Sequence, residues 1–169
     1  MRCRVPIAER CPLCQGQISW LFDFSSVPWK VFGTDRERAP RKVLGCLSCA
    51  CFAPVFSQYF ADGTARWHPA TTLSNPSRFE APCEYVCHLN LKAFPPFAAQ
   101  SSGLEDATTL GGIPMWQQDA EYPLCPDCSN PMRFLAQFDN LARPTPEEGT
   151  YYSFFCAGCQ TAAVTYQQT

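Results

Sequence analysis

Four Cys-x-x-Cys pairs are the groups in this chain best suited to chemistry. They are Cys11-Pro12-Leu13-Cys14 with Cys46-Leu47-Ser48-Cys49, and Cys125-Pro126-Asp127-Cys128 with Cys156-Ala157-Gly158-Cys159. Each pair brings two thiolates within reach of one ion, and a second pair downstream completes a tetrahedral set of four sulfurs. The spacing predicts two structural zinc ions, one on Cys11, Cys14, Cys46 and Cys49, the other on Cys125, Cys128, Cys156 and Cys159. Four thiolates fill the coordination sphere, whereas a catalytic zinc keeps one position open for water. Disulfides and a redox dithiol are the alternatives for such pairs. Residues 1–10 carry Arg2, Arg4, Glu9 and Arg10 with no apolar run, so they do not read as a signal peptide. A reducing cytoplasm is therefore the expected compartment, and it favours metal over disulfide.

The remaining reactive residues form no comparable pattern. His68 and His88 are the only histidines, and neither pairs with a nucleophile and an orienting acid. Glu80, Glu84, Glu105 and Asp106 lack metal-binding spacing, so the expectation is a binding protein and not an enzyme. Cys83, Cys87 and His88 could join Cys51 or Cys3 around a third ion. Against this, Cys-x-x-x-Cys is a poorer knuckle, and the alternation Tyr85, Cys87, Leu89, Leu91 accounts for Cys87 as a small buried residue with His88 facing outward.

Strands must position the cysteines. After Cys14 the apolar residues Ile18, Trp20, Phe22 and Phe24 alternate, with Ser19 and Asp23 between them; after Cys128, Met132, Phe134, Ala136 and Phe138 fall at the same offsets. A period of two reads as a strand with one buried face. A return strand precedes each second knuckle, at 41–45 and 150–155, and a third strand follows it, at 52–60 and 162–167. This is the layout of a zinc ribbon, present twice. Asp62-Gly63 predicts a hairpin between 52–60 and 64–68, with Trp67 aimed into the sheet. A further strand is expected over 85–91 and a loop with at most a short helix over 94–109. The expected fold is mainly β (β-rich α+β). Two duplicated zinc-ribbon-like units, 1–70 and 125–169, are joined by an irregular segment, 71–124, into one compact body.

Composition agrees with that architecture. The 169 residues are 46% apolar and 14% aromatic, enough for a packed core, and sixteen prolines argue against long helices. Residues 43–61 carry no charge, yet Cys46, Cys49, Pro54 and Gln58 suit a knuckle and a buried strand and not a lipid-facing helix. No membrane partner is expected. The formal net charge is −2, and two tetrathiolate zinc centres would bring it to roughly −6. Nucleic-acid-binding ribbons usually present a basic face. Here the basic residues Arg36, Arg38, Arg41 and Lys42 are interrupted by Asp35 and Glu37 and read as a solvated loop. Nucleic acid is thus an unfavoured partner.

The run Leu110-Gly111-Gly112-Ile113-Pro114-Met115-Trp116-Gln117-Gln118 leads through Tyr122-Pro123-Leu124 and the Cys125 to Cys128 knuckle to Met132-Arg133-Phe134-Leu135-Ala136-Gln137-Phe138-Asp139. An aromatic strand, Tyr151-Tyr152-Ser153-Phe154-Phe155-Cys156, follows. Over about residues 83–168 this order resembles the bacterial YwqG-like proteins and their eukaryotic relatives of the programmed-cell-death-protein-two type. The bacterial resemblance implies an immunity protein that binds and neutralises a cognate polymorphic toxin. The eukaryotic one implies a chaperone escorting a basic, ribosomal-type client. Either partner would be a protein, and an acidic surface suits both. Independently of any family, Gly111 and Gly112 permit unusual backbone angles and Trp116 supplies a large anchor. Phe94, Phe97, Met115 and Trp116 are the expected partner-binding residues.

Overall fold

The computed structural model of the chain describes residues 2–27, 40–72, 87–88, 108–139 and 149–168. Strand β1 (Arg2–Arg10) enters the first knuckle. The knuckle leads to β2 (Gln17–Asp23), and β3 (Lys42–Gly45) returns to the second cysteine pair, which is built around a single helical turn, α1 (Leu47–Ala50). Next come β4 (Val55–Tyr59) and β5 (Ala65–Trp67), then the two-residue strands β6 (Cys87–His88) and β7 (Thr109–Leu110). The second repeat supplies β8 (Arg133–Asp139), β9 (Thr150–Cys156) and β10 (Thr161–Gln167). The chain is mainly β, as the alternation predicts. The expected 62–63 hairpin is present, with Gly63 at φ 82 in its turn. β1 was not anticipated, although Cys3, Val5 and Ile7 alternate along it. Of the expected 85–91 strand, only Cys87 and His88 lie among the described residues.

Two antiparallel sheets result. One has the order β3-β2-β1-β6, the other β5-β4-β10-β9-β8-β7. They pack face to face, and the main core lies between them. Ile18, Leu21, Phe22, Phe24, Val43 and Leu44 of the first sheet meet Val55, Leu135, Phe138, Tyr151, Phe155 and Val164 of the second. Phe22 and Phe138 meet edge to face at 6.3 Å, and the Leu44 N–H donates to the Tyr59 hydroxyl at 2.7 Å. A second, smaller cluster covers the far face of the larger sheet, where Phe134, Tyr152, Phe154 and Ala163 lie beneath Trp116.

These two layers correct the expectation of one buried face per strand. Ser19 and Asp23 in β2 are buried along with their apolar neighbours, and Tyr152 and Phe154 in β9 are as buried as Tyr151 and Phe155. In β8 and β9 one face meets the other sheet, and the opposite face is roofed by the 111–125 segment through Trp116 and Tyr122. Bulges also break the alternation. The ladder shifts register around Leu21 in β2 and around Leu135 in β8, at the same offset from the respective knuckles, and both leucines enter the main core. An extra residue in one strand turns the next side chain to the other face.

The repeats share one sheet. β4 does not pair with its own return strand β3 but lies against β10, with Val55 opposite Val164 and Gln58 opposite Thr161. The cause is local. At three of the four knuckles the residue after the second cysteine turns the chain back through the left-handed region: Gln15 (φ 59), Ser129 (φ 58) and Gln160 (φ 58). At the fourth, the chain continues as helix through Ala50, whose N–H bonds the Cys46 carbonyl at 3.0 Å, and reaches β4 only after Pro54. The exit direction differs, and β4 is delivered to the second repeat. Strand pairing therefore crosses both expected unit boundaries, near 70 through β4–β10 and near 124 through β7–β8.

Candidate metal centres

The two first knuckles are the same structure built twice. The Gln15 N–H donates to the Cys11 carbonyl and the Cys11 N–H to the Gly16 carbonyl, both at 2.9 Å. Ser129 to Cys125 (2.8 Å) and Cys125 to Asn130 (2.9 Å) repeat the pair. Such a loop turns its amides toward the sulfurs. The Gly16 N–H lies 3.4 Å from Cys14 Sγ, and a side chain at Gly16 would begin only 3.1 Å from that sulfur. The Asn130 amide Nδ2 takes the matching place at Cys128 Sγ, at 3.5 Å.

In the first cluster Cys11, Cys14, Cys46 and Cys49 converge so that all four sulfurs lie within 4.8 Å of one another. Sγ of Cys11 is 3.6 Å from that of Cys49, and Sγ of Cys14 is 3.6 Å from that of Cys46. A disulfide needs about 2.05 Å. A tetrahedron with metal–sulfur bonds of about 2.3 Å has edges of about 3.8 Å, so the sulfurs stand where one ion would hold them. All four residues are buried, with exposures of 6% or less. Crowding sets their protonation. Thiol hydrogen bonds from Cys46 and Cys49 bring Cys11 down to about 2, while the thiolate at Cys11 pushes Cys46 up to about 12 and Cys49 up as well. Four thiolates cannot coexist here without a cation, because like charges in contact hold protons on their neighbours. The donor set, the spacing and the charge requirement all fit a bound dication.

The second cluster has the same composition in a different setting. Cys125, Cys128, Cys156 and Cys159 also lie within 4.8 Å of one another, with Cys128 and Cys156 sulfurs 3.7 Å apart. Only Cys125 is buried, Cys128 is exposed, and Cys156 and Cys159 are intermediate. The backbone around Asn130 and the thiol of Cys159 lower Cys128 to about 7, whereas burial raises Cys125. Among the described residues these are the two groups able to hold a metal ion, and both match the predicted brackets.

Sequence reading missed the support beneath the second cluster. Asp127, inside the knuckle, accepts from Thr161 Oγ1 at 2.7 Å and bonds His68 Nε2 at 3.0 Å. The Ala70 N–H donates to His68 Nδ1 at 3.1 Å, so the proton sits on Nε2 and His68 donates to Asp127. The Asp127 carboxyl is held below its ordinary value, first by Thr161 and then by His68. A residue just after β5 thus braces a knuckle of the other repeat. The acid inside Cys-Pro-Asp-Cys was the available sequence signal; its histidine partner had none.

The remaining expectations resolve unevenly. Met115 is buried at 5% exposure, its N–H bonded to Gln137 Oε1 and its carbonyl to the Tyr152 hydroxyl, both at 2.8 Å. It therefore presents no surface to a partner, because its side chain fills the core. Trp116 is half-buried, packed on Tyr152 at 4.9 Å and Phe154 at 5.9 Å, with Tyr122 edge-on at 5.3 Å. Ile113, Tyr122 and Leu124 nearby are exposed. Gly111 (φ 64) and Gly112 (φ 77) use the left-handed freedom expected of them. Phe94, Phe97, Cys83, Arg36 and Arg38 lie outside the described residues. For the suggested third ion, the β1–β6 register sets Cys3 opposite Cys87 and Arg2 opposite His88, while Cys51 Sγ donates to the Leu47 carbonyl at 3.2 Å. No helix among the described residues is long and apolar enough to cross a membrane.

Comparison with known proteins gives little to add to this geometry. The chain is 32% identical, over 171 aligned residues, to the uncharacterized protein YpfL of Salmonella typhimurium; the match covers 95% of this chain and 39% of that protein. The chain thus spans well under half the length of the relative it matches. No family model and no solved structure matches it.

Proposed function

We propose that this chain is a zinc-stabilised protein-binding module without catalytic chemistry of its own, and that its partner is a basic protein. The observation that carries the reading is the closure of both metal centres by four cysteines each. Reducing conditions and an all-thiolate tetrahedral set favour zinc over harder or redox-active ions. With every position taken by sulfur, the ion has none to offer a substrate. Its contribution is free energy of folding. An acidic balance, deepened by the thiolates, favours a basic partner.

Within this class, the resemblance to YwqG-like proteins supports an immunity protein that caps a cognate toxin in the cytoplasm. The test is affinity capture of the tagged chain at native expression, with salt washes and mass spectrometry. A stoichiometric protein that is toxic when expressed alone is the expected result. A basic ribosomal-type client would move the protein to the chaperone class, and retention of RNA or DNA would reject the protein-binding reading.

A further inference from the structure

The two metal centres belong to different cores. Cys11, Cys14, Cys46 and Cys49 are part of the main cluster between the sheets, whereas Cys125 belongs to the smaller cluster on the far face of the larger sheet. There it joins Phe134, Tyr152 and Phe154, and Cys156, Cys159 and Trp116 pack against the same group. The knuckles differ in the same sense. In the first centre Leu47 and Ser48, between the second pair of cysteines, are buried. In the second, Gly158 holds the matching stretch open: it is exposed, and a side chain placed there would meet nothing within 4 Å. Cys128 is exposed and Cys156 and Cys159 are half-buried, so both knuckles of this centre present cysteines to solvent.

Oxidation of a cysteine follows its thiolate character and its exposure, and a reversible sensor also needs a resolving thiol close by. A metal keeps the cysteines of both centres deprotonated, so exposure is what separates them. The resolving partner is in place at the second centre. Cys128 Sγ and Cys156 Sγ stand 3.7 Å apart on different knuckles. A disulfide of about 2.05 Å between them would collapse one edge of the tetrahedron and leave the ion with only two sulfurs.

We propose that the 125–159 centre is a peroxide-responsive zinc switch, with Cys128 as the sulfur that is oxidised and Cys156 as the one that resolves it. The Cys128 thiolate attacks one oxygen of hydrogen peroxide, the O–O bond breaks, and the other oxygen leaves as hydroxide and takes up a proton. Cys128 is then a sulfenic acid. The Cys156 thiolate attacks its sulfur, the S–O bond breaks, and the second hydroxide also leaves as water. One peroxide is reduced to two waters, two thiolates are oxidised to one disulfide, and zinc dissociates from Cys125 and Cys159. A dithiol reductant returns both thiolates, and the centre can bind zinc again.

The consequence falls on the Trp116 side of the molecule. Trp116 rests on Tyr152 and Phe154, and Tyr122, just before Cys125, lies edge-on to both Trp116 and Phe154. The Pro123 carbonyl accepts from the Met132 N–H at 2.9 Å, which ties this stretch to the far end of the knuckle. Releasing the ion frees the knuckle, and with it the Tyr122 edge of the aromatic group. The main core keeps its own metal centre and stays folded. This switch goes beyond the protein-binding reading and rests on it only for the metal.

The test treats the full zinc-loaded chain with hydrogen peroxide. Zinc is followed with a chromophoric indicator, cysteine oxidation by differential alkylation and peptide mass mapping, and the surroundings of Trp116 by its indole resonance. Expected are release of one of the two zinc ions, a disulfide between Cys128 and Cys156, reduced Cys11, Cys14, Cys46 and Cys49, and a shift of the Trp116 indole while that of Trp20 stays in place. A dithiol reductant with added zinc should restore the starting spectrum. Because the unmutated chain is used, no folding defect enters the result. Retention of both zinc ions, equal rates of loss from the two centres, or a disulfide confined to one knuckle would overturn the switch, and an unmoved Trp116 would overturn its coupling to the aromatic group. A chain that holds no zinc before peroxide is added would instead overturn the metal reading itself.

Discussion

His68 and the eight cysteines show how differently single residues can be read. The cysteines are legible because metal spacing is local: two ligands three residues apart already imply the site. His68 is not, because its bond to Asp127 spans 59 positions and follows from strand pairing. Loss of a group bonded directly to a metal ligand typically costs ten- to a hundredfold in metal affinity; His68 acts one step further out, through Asp127, whose carboxylate lies 3.9 Å from Cys125 Sγ. His68→Ala is therefore expected to weaken the second centre by less than about tenfold, since its effect passes through Asp127 and the pair is partly exposed. Chelator competition resolved by site would measure it, and an unchanged second-site affinity would remove His68 from the support. Exposure also separates the two centres. The first has four buried sulfurs and the second only one, so a chromophoric chelator should draw metal in two phases, with the 125–159 centre emptying first. Replacing Cys128 with Ser should abolish the fast phase and leave the slow one.

At the scale of elements, period-two alternation located the strands flanking each knuckle but gave a wrong account of their burial. The alternation reflects the face turned to the main core; the other face is buried by neighbours that no local pattern encodes. The paired bulges at Leu21 and Leu135 are similarly silent in composition, although each places a leucine in the core. β1 was readable from Cys3, Val5 and Ile7, but Pro6 and the surrounding charges concealed it. Elements pack closely at Gly45, where an added Cβ would collide with the buried Leu21 side chain and come within 3.5 Å of Val164 Cγ2. Gly45→Ala should cost about 1–3 kcal/mol, the usual penalty for overpacking, with both metals retained. Urea unfolding of the two proteins would test this, and equal midpoints would show that Leu21 can move aside.

The whole molecule is more unified than two ribbons in series. Its sequence announces a duplication, and the structure keeps the duplicated knuckles and bulges. It then joins the repeats by sending β4 into the sheet of the second. That outcome depends on how the chain leaves Cys49, by helix and not by a left-handed turn, a difference that Cys-x-x-Cys spacing does not carry. Because both sheets share one core with the first metal centre inside it, losing Cys46 and Cys49 should unfold both repeats in a single transition. Circular dichroism and near-ultraviolet spectra of the double Ser variant would show it. The central claim is that two four-thiolate zinc centres hold this fold together. Native mass spectrometry of protein purified under reducing conditions without added metal tests it most directly. The account predicts two zinc ions per chain, and loss of tertiary structure as a strong chelator removes them. A folded, metal-free chain whose mass is reduced by disulfide formation would contradict it.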